Sequence, residues 1–256
     1  MKALRIGCVK YLNARPLIRG WPGDVVLDHP SLLCRHLAEG RLDVALVSSF
    51  EFLRNPVYKI IDQVSISSNG PVYSVIVAST DDRPAREIEM DSASETSVAL
   101  LRCLMSERGT PFQPLAIAGD LLSPLEKHCP RLLIGDHAIQ FRQKFGDRYR
   151  YLDLGNEWKQ ATSLPFVFAL WLVRPEIGNA KSIADQLRAL RDQNLANLGS
   201  LIADEKGLDQ AFCDRYYREH LRFNFGEREK QGLRAFHQLC TKHDLLPKRE
   251  IAFSVV

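Results

Sequence analysis

Small polar side chains stand directly after the apolar runs of this sequence, where predicted strands end, and at the point where the chain passes between its two predicted halves. The residues that we expect to contact a ligand are Asn13, Arg15, Ser48, Ser74, Ser94, Thr96 and Ser97. A planar guanidinium pairs well with a carboxylate, and free N–H groups at a helix start attract anions. Hydroxyl and amide groups add hydrogen bonds that orient a ligand. Together these residue types predict a site for a small anionic molecule.

Each of these side chains also has an ordinary structural use, and both interpretations stay open at this point. Serine and threonine at a helix start most often cap that helix, which applies to Ser48, Ser94 and Thr96. Arg15 is equally explained as a solvated surface arginine. The elements that carry these residues are therefore the next evidence.

Strand and helix signals alternate along the first third of the chain. Buried strands are predicted at "LRIGCV", "DVVLD" and "DVALVSS", and "PSLLCRHLAEG" has a helical pattern with Pro30 in its first turn and Gly40 after its end. This β-α-β-α-β order predicts a parallel sheet covered by helices. Ligands of open α/β sheets bind at the carboxyl ends of the strands, which is where the polar residues stand.

A second α/β series follows, and a breaker pair before a long β-rich run stands at each of its ends, Gly70 with Pro71 and Leu164 with Pro165. We predict two lobes joined by hinge crossings near residues 70–76 and 164–171. The first lobe comprises residues 1–72 and 171–256, including a helical tail, and the second comprises residues 73–170. The cleft between the lobes is the expected ligand site.

Composition argues against several classes of function. The formal charge is only +3, with no basic stripe carrying aromatic residues, so nucleic acid is not an expected partner. No apolar run approaches the roughly 20 residues of a membrane-spanning helix. Glycine-rich loops for dinucleotides or nucleoside triphosphates are missing. The six cysteines form no C-x-x-C pair, so we expect reduced thiols and no metal site. "MKALRIG" lacks the apolar region of a signal peptide, which favours a cytoplasmic protein.

A set of segments in fixed order carries a family resemblance. The segments are "RIGCVKYLNARPL", "LAEGRLDVALVSSFEFL", "NGPVYSVIVAS", "SETSVALL", "LLIGDHAI", "DLGNEWKQATSLPFVFALW" and "GEREKQGLRAFHQLC". From about residue 5 to about residue 245, the chain resembles the chorismate dehydratase family, which opens the futalosine route to menaquinone. The resemblance implies an α/β, two-lobed fold like type II periplasmic binding proteins, with two mixed sheets flanked by helices and a cleft between lobes.

The resemblance also implies a reaction. Chorismate, a small dicarboxylate, would lose water to give 3-[(1-carboxyvinyl)oxy]benzoate, and neither a metal nor an organic cofactor would be required. The family places two polar groups near the chemistry, which in this chain are Asn13 in "YLN" and Ser74 in "PVYS". The remaining polar residues are expected to bind substrate: Arg15, Ser48, Ser94, Thr96 and Ser97.

One position departs from the family pattern. The family usually has glycine in T-G-L-P, whereas this chain has Ser163 in "TSLP". If the backbone there has a positive φ, serine would cost on the order of 1 kcal/mol.

Three other interpretations remain at this level. A non-catalytic solute-binding protein would share the fold, as would the sister dihydroxynaphthoate synthase, which typically opens with a "SPCPNDTF"-like stretch where this chain has "YLNARPL". A ligand-sensing domain of a transcription regulator is a more distant alternative.

Overall fold

The computed structural model describes residues 4–91 and 95–256. Within them the chain forms ten strands, which in chain order are β1 (Ile6–Val9), β2 (Val25–Asp28), β3 (Val44–Ser48), β4 (Lys59–Ser68), β5 (Val75–Ser79), β6 (Glu87–Met90), β7 (Gln113–Ala116), β8 (Arg131–Ile134), β9 (Arg150–Asp153) and β10 (Phe166–Val173).

The strands form two five-stranded mixed sheets with the same internal plan. The first sheet has the order β2-β1-β3-β10-β4, and the second has the order β7-β6-β8-β5-β9. In each sheet the first three strands are parallel, and the fourth runs antiparallel to both of its neighbours. That fourth strand is the first one after a predicted crossing, β5 after the first and β10 after the second. The predicted α/β fold with two mixed sheets is therefore confirmed.

Helices cover both sheets. Within the described residues they are α1 (Arg15–Ile18), α2 (Pro30–Ala38), α3 (Ser49–Arg54), α4 (Glu95–Glu107), α5 (Gly135–Phe145), α6 (Leu154–Thr162), α7 (Ala180–Ala196), α8 (Leu198–Ala203), α9 (Gln210–Arg215) and α10 (Glu227–Lys242). Short 3₁₀ turns occupy Leu12–Ala14 and Gly146–Arg148, and a π-helical turn occupies Tyr216–His220.

Local chemistry explains where α6 begins and ends. The Asp153 carboxylate accepts a hydrogen bond of 3.1 Å from the Asn156 N–H and caps the first turn. At the other end, Ser163 takes a left-handed conformation with φ of 60° and ψ of 11°. Left-handed residues commonly end helices, and glycine is the usual choice. Ser163 therefore occupies a position that favours glycine.

The helical tail packs at the second crossing. A Cβ atom on Gly232 of α10 would lie 2.1 Å from the Pro165 carbonyl oxygen, so only glycine allows this close approach. Phe236 of α10 contacts Phe166 edge-on, with ring centroids 4.9 Å apart. The tail thus fixes the start of β10 in the first sheet. The lobe boundaries and hinge positions stay a prediction, while β10 lies in the first sheet from Phe166 onward.

Candidate active site

A pocket lies between the two sheets, where the carboxyl ends of β1, β3 and β8 face each other. The cavity has a volume of about 60 Å³. Its polar lining residues are Tyr11, Asn13, Ser48, Ser74, Thr96 and Ser97. Five of these were predicted to contact a ligand, so the fold brings together residues that lie far apart in the chain.

The rest of the pocket wall is apolar. Val9, Ile66 and Phe168 come from the first sheet, and Val75 and Ile134 come from the second. Except for the half-buried Phe168, these side chains are buried in the structure. Such walls suit the faces of a carbon ring, while the few polar groups orient it.

Asn13 lies in the 3₁₀ turn that follows β1. Its amide oxygen is buried and has no hydrogen-bond partner among the described residues. Because a buried acceptor without a partner costs free energy, this oxygen is ready to accept a hydrogen bond from a ligand.

Arg15 lies outside the pocket. Its guanidinium is 45 % exposed and lies 3.6 Å from the Glu205 carboxylate on the outer surface. Arg15 opens α1, whose next residues, Pro16 and Leu17, are buried. The inner side of this helix is thus apolar, and the structure does not bring the guanidinium to the site where we expected it.

Ser48 and Thr96 join the two sheets across the pocket. Their hydroxyl oxygens are hydrogen-bonded to each other, and Thr96 also accepts the Phe50 N–H at 3.1 Å. Thr96 therefore caps α3, a helix of the opposite lobe, rather than only its own helix. Ser97, the next residue of α4, is buried and lines the same pocket. Ser94, a further predicted contact, lies outside the described residues.

Ser74 is held by a constrained segment before β5. Tyr73 has a φ of 67°, an uncommon conformation for a residue with a side chain. The Asp153 carboxylate accepts hydrogen bonds from the Val72 N–H at 3.0 Å and from the Tyr73 N–H at 2.7 Å. The Arg142 guanidinium stacks 3.9 Å from the centre of the Tyr73 ring. These contacts stabilise the strained residue and direct Ser74, which is fully buried, to the pocket.

Tyr216 connects to Ser74 from the tail of the chain. Its hydroxyl donates a hydrogen bond of 2.7 Å to the Ser74 oxygen, and its side chain is fully buried. Burial raises the pKa of this phenol far above its ordinary value, so Tyr216 stays protonated.

A second contact between the lobes lies at the start of α5. The Leu12 N–H donates to the Asp136 carboxylate at 2.8 Å. Burial raises the pKa of Asp136, although the Leu12 N–H acts in the opposite direction. Gly135, which has a φ of 54°, lies so close to Tyr11 that a Cβ atom would be 2.7 Å from the ring. Glycine is therefore required where these two segments meet.

One cluster has ligands that a metal could use. Donor atoms of Cys34, Glu51 and Glu95 lie within 4.8 Å of one another. The Arg54 guanidinium hydrogen-bonds to both carboxylates, at 3.0 Å to each oxygen of Glu95. A cation at this cluster would have to displace Arg54, so the cluster is explained as an ion-paired network.

Sequence reasoning missed Tyr216, Gly135 and Phe168 as residues of this site. Tyr216 is 142 positions from Ser74, in a tail predicted only to cover the first lobe. Gly135 stands at the end of a predicted strand. A glycine at that place was the one local signal that could have indicated a close approach of another segment.

The fold and the pocket between its lobes define the class, a protein with a periplasmic-binding-protein-like fold. A solved structure from Archaeoglobus fulgidus superimposes with a TM-score of 0.74 at 16 % identity, over 95 % of this chain and 98 % of that chain. The alkanesulfonate-binding protein SsuA from Xanthomonas axonopodis pv. citri, bound to MOPS, gives 0.69 at 17 % identity, over 99 % and 97 %. At these identities the likeness concerns the fold alone.

A family model described as menaquinone biosynthesis matches residues 4–242, and the chain belongs to this family. A chorismate dehydratase from Thermus thermophilus is 29 % identical over 259 residues, which covers 92 % of this chain and 94 % of the relative. A chorismate dehydratase from Campylobacter jejuni is 27 % identical over 232 residues, covering 90 % of each.

Among the described residues, we find no helix with the length and apolar character needed to cross a lipid bilayer.

Proposed function

We propose that this chain is an enzyme, a carbon–oxygen hydro-lyase that removes water from chorismate to give 3-[(1-carboxyvinyl)oxy]benzoate. The observation that carries the proposal is the similarity to two chorismate dehydratases over about nine-tenths of the chain. The pocket supports it, because it combines apolar walls with buried hydroxyl and amide groups.

The reaction makes specific demands on a site. The C–H bond at ring C3 and the C–O bond at ring C4 break, a C3–C4 double bond forms, and the ring becomes aromatic. The proton and the hydroxide account for one water, with no net change in oxidation state. Because the C3 proton is vinylogous to the ring carboxylate, loss of the proton first gives a delocalised enolate. The site must therefore hold both carboxylates, stabilise the developing charge and exclude bulk water.

Two pocket residues are assigned to the reacting groups. Asn13 would accept a hydrogen bond from the C4 hydroxyl through its unpartnered amide oxygen, which has no partner among the described residues. Ser74 would donate a hydrogen bond to a substrate carboxylate and stabilise the charge of the enolate. The enolpyruvyl carboxylate of the substrate itself would take the C3 proton and pass it to the departing C4 hydroxyl, which leaves as water, since no protein base was evident among the predicted site residues.

The hydroxyl groups near α4 are assigned to binding. Ser97 lies in the first turn of α4, a helix of 13 residues, and Ser48 and Thr96 lie beside it. The N-terminal turn of a helix favours an anion, so the second carboxylate would lie here. This arrangement would separate the two carboxylates across the pocket and align the ring between the apolar walls.

Product identification tests the proposal. The purified protein is incubated with chorismate, and the mixture is followed by proton NMR and mass spectrometry. The expected product is lighter than chorismate by one water and has aromatic ring protons. Binding of chorismate without conversion would instead support a solute-binding protein, and conversion only of a futalosine-derived substrate would support the sister synthase.

A further inference from the structure

Tyr216 contacts Ser74, one of the two residues assigned to the reaction. It opens the π-helical turn Tyr216–His220, and such turns often occur at functional sites. Its hydroxyl donates to the Ser74 oxygen at 2.7 Å. One phenol from the tail of the chain thus holds a hydroxyl that lines the pocket.

The Tyr216 ring is fixed in place. It is fully buried and stacks on Phe212 with ring centroids 5.7 Å apart and planes only 12° from parallel. A hydroxyl carried by such a ring cannot follow the movements of its partners. The ring therefore determines how Ser74 directs its own hydroxyl group.

The direction of the hydrogen bond follows from this contact. Tyr216 is protonated and donates a hydrogen bond to the Ser74 oxygen. Because the Ser74 oxygen accepts from Tyr216, the Ser74 hydroxyl can direct its own proton into the pocket that it lines.

We propose that Tyr216 is a positioning residue that sets the hydrogen-bond direction of Ser74. Because the Ser74 oxygen accepts from Tyr216, the Ser74 hydroxyl faces the ligand as a donor. This inference rests on the proposed function and deepens it, because a carboxylate requires a donor. Without the phenol, the Ser74 hydroxyl could rotate and present its oxygen, rather than its proton, to the carboxylate. When Tyr216 donates to Ser74 and Ser74 donates to the ligand, each hydrogen bond also strengthens the other.

The test compares Tyr216→Phe with a matched control, Tyr149→Phe. Tyr149 also has a buried hydroxyl, which accepts the Leu125 N–H at 3.1 Å, but it lies outside the pocket lining. The expected result is that Tyr216→Phe lowers kcat for chorismate by about tenfold or more, as loss of supporting hydrogen bonds commonly does, whereas Tyr149→Phe keeps wild-type kcat. Circular dichroism and thermal unfolding confirm that both variants are folded.

A double-variant comparison separates positioning from general structural damage. If Tyr216 acts through Ser74, Tyr216→Phe added to Ser74→Ala lowers kcat much less than it does in the wild-type background. Equal effects in both backgrounds, or a Tyr216→Phe variant as active as Tyr149→Phe, would overturn the inference while leaving the proposed function intact.

The same comparison is made on the Kd for chorismate by calorimetry. If the wild type binds chorismate without converting it, the proposed function fails, and a non-additive loss of affinity in these variants still supports the positioning role. Additive losses of affinity, or no loss, overturn it. A wild type that neither binds nor converts chorismate overturns both.

Discussion

Ser163 has a backbone conformation that favours glycine. Its φ of 60° lies in the left-handed region, where a Cβ atom is unfavourable and glycine is the usual residue. From the sequence we expected serine to be unfavourable here if φ is positive. Because φ is positive, Ser163 lowers the stability of the folded state. Its carbonyl oxygen accepts hydrogen bonds from Lys159 at 2.9 Å and Arg228 at 3.0 Å, which a glycine would keep.

Ser163→Gly is therefore expected to raise the free energy of unfolding by about 1 kcal/mol, measured by urea denaturation. Ser200→Gly is the matched control. Ser200 lies exposed within α8, where glycine should lower the free energy of unfolding by roughly 0.5–1 kcal/mol. A Ser163→Gly variant that is destabilised as much as Ser200→Gly would contradict this explanation.

Asp136 gives a pH dependence with a definite sign. Burial raises its pKa in the folded protein above the ordinary value of about 4. The folded state therefore holds this proton more tightly than the unfolded state, so stability falls as pH rises between the two pKa values.

Asp136→Asn removes this titration and keeps an oxygen for the Leu12 N–H. The wild type should lose free energy of unfolding relative to Asp136→Asn as pH increases from about 4 through the raised pKa. Urea denaturation at a series of pH values measures the difference between the two proteins. A difference that is constant with pH would show that Asp136 titrates normally.

At the scale of elements, Gly135 determines how closely the start of α5 approaches Tyr11. Gly135→Ala would place a Cβ atom 2.7 Å from the Tyr11 ring and would also strain a backbone with φ of 54°. We expect a weaker affinity for chorismate, because the segments on the two sides of the pocket must move apart.

Gly146→Ala is the control for Gly135→Ala. Gly146 has a similar φ of 50°, but a Cβ atom there would meet nothing within 4 Å. This variant should show only a backbone penalty in urea denaturation and an unchanged Kd for chorismate. If both variants bind chorismate as the wild type does, the Gly135 contact is not important for the pocket.

Elements with a regular pattern could be predicted from the sequence, and interrupted ones could not. The apolar run of β10 and the helix α2 correspond to the predicted segments. The ten-residue strand β4 was not predicted. Gln63 in its middle has a φ of 65°, and the pairing of β4 with β10 shifts register twice. Such bulges break the alternation by which strands are identified.

At the scale of the whole molecule, the two-lobed architecture could be predicted because α/β alternation and breakers are local signals. The pocket could be predicted in part, since residues after strands meet at one edge. Its other members depend on packing between distant segments, as in the contacts of Tyr216 with Ser74 and of Gly135 with Tyr11. No local sequence pattern encodes these pairings. Arg15 follows a strand and was therefore predicted to lie at the site, but its side chain points to the outer surface.

The central claim is that chorismate loses water in this pocket through groups that include Asn13 and Ser74. The most direct test measures kcat/KM for chorismate in the wild type, Asn13→Ala and Ser74→Ala under identical conditions. We predict conversion by the wild type and a loss of about 10²-fold in Ser74→Ala, as for removal of a donor to developing negative charge, with a clear loss in Asn13→Ala as well. Near-normal turnover by both variants would contradict the account.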